Sequence, residues 1–492
     1  MASIRESLEV TTFKALYKKL VSTVQNSEQS TEGIISMVNA AEKVTGDLYS
    51  KEGWDGIRES LSDPNNRWLR IIRRAFRDVD EHILDRNLMN IVYYASIAGI
   101  RTKRKMIKKH HCNIPNIILF DPTTACNLHC KGCWSAEYGH KWNLSYEEME
   151  DIVRQGEEMG CHLYFMTGGE PLVRKDDIIR LADKFPNSAF HIFTNATLID
   201  DAFCAEVRRV GNITFAVSIE GFEDQNDARR GEGAYQHIVE SMNLMKRNRI
   251  GFAASICYTS ANYETVTSDT FLRQLVDLGC FHVWYFHYMP IGQGAVPELL
   301  LTADQRKYMI ERIRYLRTNE ADIDLMLADF QNDGQFVGGC IAGGRSYIHI
   351  NAKGDLEPCV FIHYSNSNIR DKSILEGMKE PLMMAYYHEE PWNKNHFKPC
   401  PMLENPDLLP NIVKNSHAKS TDYIAEEMPE DLYKKTAPYA AQWSDTADEL
   451  WEEYSKYGHG DPAKRSEMKE KMEEHQEGIR EKMEASLNKT AQ

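Results

Sequence analysis

Basic residues are the scarce charged class in this chain of 492 residues: 58 Lys and Arg face 73 Asp and Glu, a formal net charge of −15. Phosphate affinity comes largely from Lys and Arg, so a chain this acidic is a poor general binder of nucleic acid. Long apolar runs are also missing. The longest, Leu88 to Ile100, spans 13 residues and includes Asn90 and Ser96, short of the ~20 needed to cross a bilayer. The start, Met1-Ala-Ser-Ile-Arg-Glu-Ser-Leu-Glu-Val, mixes charges and has no apolar h-region, so no secretory signal is legible there. Cysteines number 11, too few for a disulfide scaffold at this length. These absences read as a cytoplasmic protein, where thiols stay reduced and cysteine groups more often bind metal or do chemistry. What is present is globular: 42% of residues are hydrophobic and 10% aromatic, enough to bury a core. The length suggests about three units at roughly 150 residues each.

Residues 1–111 carry helical periodicity and little strand signal. Trp68, Ile72, Ala75, Phe76, Val79 and Ile83 fall at the 3–4 spacing of one helix face, predicting an amphipathic helix from Asn66 to about Asp85. The apolar run follows, then Arg101-Thr-Lys-Arg-Lys-Met-Ile-Lys-Lys109. An apolar face followed by a basic cluster is the composition of an interfacial membrane helix, so peripheral membrane contact through 66–109 is one expectation. The other is that the helix packs on the outside of the main domain and the lysines are solvated.

From Asn116 the texture changes. Short β-rich runs near 116–121, 162–166, 189–193, 212–218, 251–257 and 281–288 alternate with helix candidates near 145–159, 174–184, 199–209, 234–248 and 268–279. Alternation of this kind predicts βα units around a parallel sheet, open or curled into a barrel. After about residue 330 it stops. Gly338, Gly339, Gly343 and Gly344 open a cysteine-bearing stretch reaching to about 410. From Asp445 the chain is charge-dense, with no aromatic beyond Tyr457, which reads as a solvated helix or a frayed tail.

The sharpest local signal is Asp121-Pro-Thr-Thr-Ala-Cys126-Asn-Leu-His-Cys130-Lys-Gly-Cys133-Trp134, directly after the first expected strand. Three thiols at spacings of four and three can face one centre. Zinc would want a fourth ligand, which His129 or His140 could supply. An iron–sulfur cluster on three thiolates would keep one iron free to bind a cofactor. Beyond the second strand stands Thr167-Gly168-Gly169-Glu170-Pro171, where glycines let backbone approach a ligand and a carboxylate can accept from an ammonium group. Thr194-Asn195-Ala196 follows the third strand, and Ser218-Ile-Glu220-Gly221 the fourth. Asp227-Ala-Arg229-Arg230-Gly231 comes next, and an Arg can bind a carboxylate bidentately. Each lies just past an expected strand, where parallel folds bind ligands. Cys161, Cys204, Cys257 and Cys280 sit in apolar settings and read as inert core residues.

In these residues the chain resembles the radical SAM superfamily, whose signature is Cys-x-x-x-Cys-x-x-Cys after the first barrel strand. The resemblance implies that Cys126, Cys130 and Cys133 hold a four-iron four-sulfur cluster whose open iron chelates S-adenosylmethionine (SAM). It further implies that Gly168, Gly169 and Glu170 hold the methionine amino group. Thr194 and Asn195 match the family's Thr-Asn-Gly, with Ala196 in place of the glycine. Ser218 and Glu220 would reach the ribose hydroxyls, and Arg229 or Arg230 the methionine carboxylate. Gly132 stands where many relatives carry an aromatic.

A second cysteine group follows. Tyr347, His349 and Asn351 alternate with Ile348 and Ile350, Lys353-Gly354-Asp355 makes a turn and Leu356 leads back: a hairpin with Cys340 and Cys359 at its outer ends. Cys400 is a third thiol in the region. This resembles the SPASM or shorter twitch extension of radical SAM enzymes, which opens with Cys, a gap and Gly-x-x-x-x-Cys. It implies one auxiliary iron–sulfur cluster on Cys340, Cys359 and Cys400, with His363, His396 or Glu404 as candidate fourth ligands. The alternative is a hairpin with ordinary buried cysteines.

The expected fold is therefore α/β: a partial (βα)6 TIM-type barrel at 112–330, a helical N-terminal region at 1–111, a small cysteine-containing α+β extension at 331–410 and a helical, charged tail at 411–492. The expected activity is reductive cleavage of SAM to a 5′-deoxyadenosyl radical that abstracts hydrogen from an unactivated C–H bond, under anaerobic conditions, with an electron donor such as ferredoxin or flavodoxin. A peptide or protein is the expected substrate, with a lipid or acyl chain as the alternative. A non-catalytic metal-binding scaffold is the reading from a different class.

Overall fold

The computed structural model describes residues 9–11, 13–15, 31–138, 141–292, 294–457, 474–479 and 481. Its centre is one sheet built from β1 (Ile117–Phe120), β2 (Leu163–Met166), β3 (Ala189–Thr194), β4 (Ile213–Ser218), β5 (Phe252–Tyr258), β6 (Cys280–His287), β7 (Met326–Asp329), β8 (Tyr347–Ile350) and β9 (Leu356–Glu357). The order is β7-β6-β5-β4-β3-β2-β1-β8-β9, with two free edges, so the barrel is partial. Every neighbouring pair is parallel except the β8–β9 hairpin. The six expected strands fall within one residue of their expected ends. Both faces are covered, and Ile118, Phe120, Tyr164, Met166, Ile192, Val217 and Ile256 are fully buried, as their near-continuous apolar texture requires in a parallel sheet.

Two parallel members go beyond the six. β7 is a four-residue strand after helix Ala303–Leu316, too short to stand out by periodicity. β8 docks in parallel on β1, pairing Ile117 with Tyr347 through to Phe120 with Ile350. The expected hairpin is present, but its seat on the barrel is a tertiary event: β1 would otherwise be an exposed edge.

The N-terminal amphipathic segment is two helices, Arg67–Asp78 and Glu81–Leu88, because Asn66 and Asp80 each cap a new N-terminus. The buried face of the first is Arg67, Leu69, Ile71 and Arg74 rather than the expected Trp68, Ile72 and Phe76, and Trp68 is 40% exposed. The reason is the surface it meets. Arg67 donates to the carbonyls of Arg317 (3.0 Å) and Leu325, Arg74 to that of Cys280, Asn87 to that of Gly211 (2.9 Å) and Asn90 to that of Ser188 (2.8 Å). Gly211, Ser188 and Leu325 just precede β4, β3 and β7, and Cys280 opens β6, so these helices close the strand-entry end of the barrel. Lys103 is not solvated as expected. It donates to the Arg345 carbonyl at 2.9 Å, and burial pulls its ammonium down to about 8. No helix among the described residues is long and apolar enough to cross a membrane.

Helix Pro429–Tyr457 buries Trp443, Ala447, Leu450 and Tyr454 against the second hydrophobic cluster. The stretch from Asp445 to Tyr457 is thus a docked helix, not a solvated one; residues 458–473 and 482–492 lie outside the described residues. Beneath it, Arg306 is fully buried, pairs with Glu404 at 2.8 Å and lies 4.3 Å from the Trp443 ring centre.

Candidate active site

The loop after β1 carries Cys126, Cys130 and Cys133, all half-buried, and is held from both sides by backbone. Gly169 and Glu170 donate to the carbonyls of Thr123 (3.0 Å) and Ala125 (2.8 Å), and Lys131 donates to that of Arg229 (2.8 Å). Besides lining the cavity, the two glycines have a second job. A β-carbon on Gly168 would lie 2.6 Å from the Thr123 carbonyl oxygen, and one on Gly169 would overlap that of Ala125. Glycine is needed here for the glycine loop to lie against the cysteine loop. Gly168 also sits at φ +104, a region glycine adopts without penalty.

Glu170 is 1% exposed. Its carboxylate accepts from Thr194 Oγ1 (2.6 Å), the Asn195 amide (2.8 Å) and the Leu172 amide (2.9 Å), so it ties the ends of β2 and β3 together. Burial raises its pKa, and these donors oppose the rise. Asn195 reaches across to Asn127 of the cysteine loop at 2.9 Å. Ala196, at φ +63 and fully buried, adopts the backbone conformation that glycine would favour there.

Glu220 is also 1% exposed and accepts from both arginines, Arg229 Nη1 at 2.5 Å and Arg230 Nη2 at 2.6 Å, and from the Cys257 amide at 3.1 Å. Arg230 Nη1 is 4.0 Å from Cys130 Sγ. Arg229 Nε is buried without a partner. Burial alone would pull the Arg229 guanidinium down; Cys257, Glu220, Cys130 and Cys133 together hold it above its ordinary value. Burial pushes the Cys126 thiol up to about 11, opposed by the Leu128 amide, and also raises Cys133. A cation beside the thiols favours the thiolate that binds metal.

The three cysteines, both glycines, Glu170, Thr194, Asn195, Glu220 and the two arginines line one cavity of about 250 Å³ at the carboxyl ends of the strands. Ser218 lines it too, on β4 opposite Ser255 of β5. The rest of the wall is aromatic, including Phe165, Phe193, Trp284, Phe286, Phe330 and Phe361. Two residues here escaped sequence reading. Tyr288, just past β6, fills the space at Gly132: a β-carbon there would lie 2.8 Å from Tyr288 Oη, and Gly132 sits at φ +65. Cys257, expected to be an inert core residue, is half-buried and lines the cavity. Its place at the end of β5 was the available signal.

The hairpin bears directly on this site. His349 of β8 is fully buried between Asp121 (Nε2 to Oδ1, 3.0 Å), at the root of the cysteine loop, and Glu357 of β9 (Nδ1 to Oε2, 2.6 Å). Burial opposes its charge, yet the two carboxylates raise the imidazole to about 10. Trp134, next to Cys133, sets its ring edge-on to His349 at 6.1 Å.

Cys359 is buried, and Cys340 and Cys400 pack half-buried on the same cluster of side chains. Burial pushes Cys359 up to about 11 and also raises Cys340 and Cys400. The expected fourth ligands are engaged elsewhere. His363 pairs with Asp422 at 2.7 Å, Glu404 with Arg306 and the Cys400 amide (2.8 Å each), and His396 lies tilted against the Trp451 ring at 4.9 Å. His140, an expected zinc candidate, lies outside the described residues. Among the described residues no three His, Cys, Asp or Glu side chains converge on one metal-ion position. A four-iron cluster binds its thiolates through separate irons and does not ask for that convergence.

A thiol-lined cavity at the carboxyl end of a parallel half-barrel defines a class of cofactor-dependent enzyme, and known proteins agree. Residues 120–270 match the model of the Radical SAM superfamily. An AdoMet-dependent heme synthase of Methanosarcina barkeri is 21% identical over 342 residues, covering 64% of this chain and 96% of that protein. An uncharacterized protein of Archaeoglobus fulgidus is 31% identical over 265 residues, 49% of this chain and 60% of that protein. Among solved structures, SuiB of Streptococcus suis bound to its precursor peptide SuiA aligns at TM-score 0.52 and 19% identity, over 68% of this chain and 80% of that one, a likeness of fold. Residues 120–270 are thus a radical SAM domain, the class of enzyme that works with a four-iron four-sulfur cluster and SAM.

Proposed function

We propose that this enzyme abstracts hydrogen from a C–H bond on an apolar part of a peptide or protein, held against the aromatic wall of the cavity. The observation carrying the reading is the lining of that cavity: cysteines, Glu170, Glu220 and two arginines share it with a contiguous run of rings, Phe165, Phe193, Phe286 and Phe330. In this reading Cys126, Cys130 and Cys133 hold the cluster, with the Arg230 guanidinium beside Cys130. Gly168, Gly169, Glu170, Thr194 and Asn195 form the methionine-amine side of the SAM pocket. Ser218 and Glu220 face the ribose, and Glu220 shares its oxygens with its arginine partners while doing so. The unpartnered Arg229 Nε is the donor a methionine carboxylate would satisfy. Tyr288 takes the place of the aromatic that Gly132 does not supply. The cluster and SAM, when bound, provide the 5′-deoxyadenosyl radical, with reduction from a donor such as ferredoxin or flavodoxin.

This chain's own contribution is position and shielding. Aromatic walls exclude water, strengthening the charged contacts to the cofactor and protecting a reactive species. A second cluster on Cys340, Cys359 and Cys400 is part of the same reading, supported by their joint burial in one cluster of side chains. The apolar wall also favours a lipid or acyl-chain substrate as the second reading. Peripheral membrane contact through 66–109 has less support, because the buried face of Arg67–Asp78 already meets the barrel.

The test is anaerobic reconstitution with iron and sulfide, then reduction in the presence of SAM. Production of 5′-deoxyadenosine, even without substrate, is expected, and its loss in Cys126→Ala, Cys130→Ala and Cys133→Ala. Unchanged product in those variants would overturn the cluster assignment. Challenge with a peptide library and with phospholipid, scored by deuterium transfer into 5′-deoxyadenosine, then separates the two substrate readings.

A further inference from the structure

The second cysteine group is surrounded by polar atoms that are poorly satisfied. Both carboxylate oxygens of Glu390, the Tyr386 hydroxyl and the Trp392 indole N–H are buried without a well-formed hydrogen bond, and the groups nearest the carboxylate are the Cys340 thiol and the Trp392 N–H. Buried polar groups are nearly always well paired, so poorly satisfied ones gathered beside a thiol mark a missing partner. They belong to the same neighbourhood as the thiols. A β-carbon on Gly339, next to Cys340, would lie 3.2 Å from Pro391 Cβ, and Gly343 packs on the Tyr386 ring. The Gly343 amide also donates to the Pro358 carbonyl at 2.8 Å, drawing the Cys340 and Cys359 loops together. Tyr386 and Trp392 meet edge to face at 5.0 Å, and Tyr347 donates to Cys359 Sγ at 2.7 Å.

We infer that Glu390 is the fourth protein ligand of the auxiliary iron–sulfur cluster, completing a site of three thiolates and one carboxylate. The inference rests on the proposal that Cys340, Cys359 and Cys400 hold a cluster, and goes beyond it by closing the site. Three features select Glu390. It comes from a fourth chain segment, just after helix Pro381–Glu389, so the four donors can surround a cluster rather than lie along one edge. Its carboxylate is turned toward Cys340 and the Trp392 indole N–H, whereas that of Glu404 already pairs with Arg306 and accepts from the Cys400 amide. It also interacts electrostatically with Cys340 and with Arg345, whose guanidinium donates to the Cys340 carbonyl and supplies positive charge beside an anionic donor set. Without such a partner a buried carboxylate is costly. Tyr386 and Trp392 then become donors toward the cluster sulfurs, which is how proteins tune such centres.

The experiment uses the full chain with Cys126, Cys130 and Cys133 changed to alanine, so that only the second site can retain iron after anaerobic reconstitution. About four irons are expected, falling to near zero when Cys359→Ala is added. In the same background Glu390→Gln, nearly isosteric, is expected to lose one iron on mild oxidation and to give a three-iron electron paramagnetic resonance signal. Glu390→Cys is expected to keep all four irons and to shift the reduction potential. If the triplet background holds no iron, the cluster reading fails and this inference with it. If iron is held but Glu390→Gln leaves iron count, spectrum and potential unchanged, the cluster stands and the Glu390 assignment alone is wrong. Thermal melts of both Glu390 variants establish that they are folded.

Discussion

Replacing His349 with leucine should destabilise the protein by about 3–5 kcal/mol, the cost of removing one partner from a buried ion pair. The structure says why the value belongs in that range. Glu357 keeps two other donors, Asn351 Nδ2 at 2.9 Å and Thr421 Oγ1 at 2.5 Å. Asp121 does not: its Oδ2 is already unpartnered, and His349 is the group that bonds Oδ1. A second route agrees, since moving an imidazole from 6.5 to about 10 corresponds to about 4–5 kcal/mol. The sign of the pH dependence follows. The folded-state value is raised, so the stabilisation is complete below about pH 6.5 and is lost as pH rises through 10. Anaerobic urea denaturation of wild type and His349→Leu from pH 6 to 10.5 measures it. The gap should be widest at the acid end and shrink steadily toward pH 10. Equal stability at pH 7, or a gap that widens with pH, would refute the buried-cation argument. Because Asp121 roots the cysteine loop, the variant should also lose iron from the first cluster faster when challenged with a chelator.

Other expectations are simpler. Gly169→Ala forces a β-carbon into the Ala125 carbonyl, an overpacking worth about 1–3 kcal/mol; it should lower the melting midpoint and the iron content together, and normal iron content would argue against the loop-to-loop contact. Arg229→Lys removes the guanidinium fork and a charge-assisted bond worth about 1.5–3 kcal/mol, so the SAM concentration for half-maximal cleavage should rise roughly 10–100-fold without loss of iron. Trp443→Ala should cost about 3–5 kcal/mol, because the ring is 1% exposed over Arg306; limited proteolysis should then cut helix Pro429–Tyr457 first.

The strands and the cofactor loops were legible because their signals are local. An apolar run of five or six residues bounded by Gly, Asn or Asp is a strand wherever it packs, and three cysteines within eight positions share a loop in any fold. The buried face of the N-terminal helix was not legible in the same way. Periodicity favoured Trp68 and Phe76, but the surface met by Arg67 and Arg74 is a row of carbonyls at strand entries, which rewards guanidinium groups over rings. The need for glycine after β2 has a source that no local pattern shows: besides lining the cavity, these residues make room for the Thr123 and Ala125 carbonyls. Cys257 read as core from its apolar neighbours, yet the end of β5 turns it toward the cavity.

The sequence by itself determined the half-barrel, the order of its loops and the chemistry of its cofactor groups, since each depends on residues close together in the chain. Tertiary structure alone decided which distant groups share a space. Docking of β8 on β1 sets His349 against Asp121, 228 positions away; the fold of the extension brings Glu390 beside Cys340, and the curl of the sheet brings Tyr288 under Gly132. No pattern in the chain encodes those meetings, because burial and hydrogen bonding act between whatever surfaces the completed fold presses together.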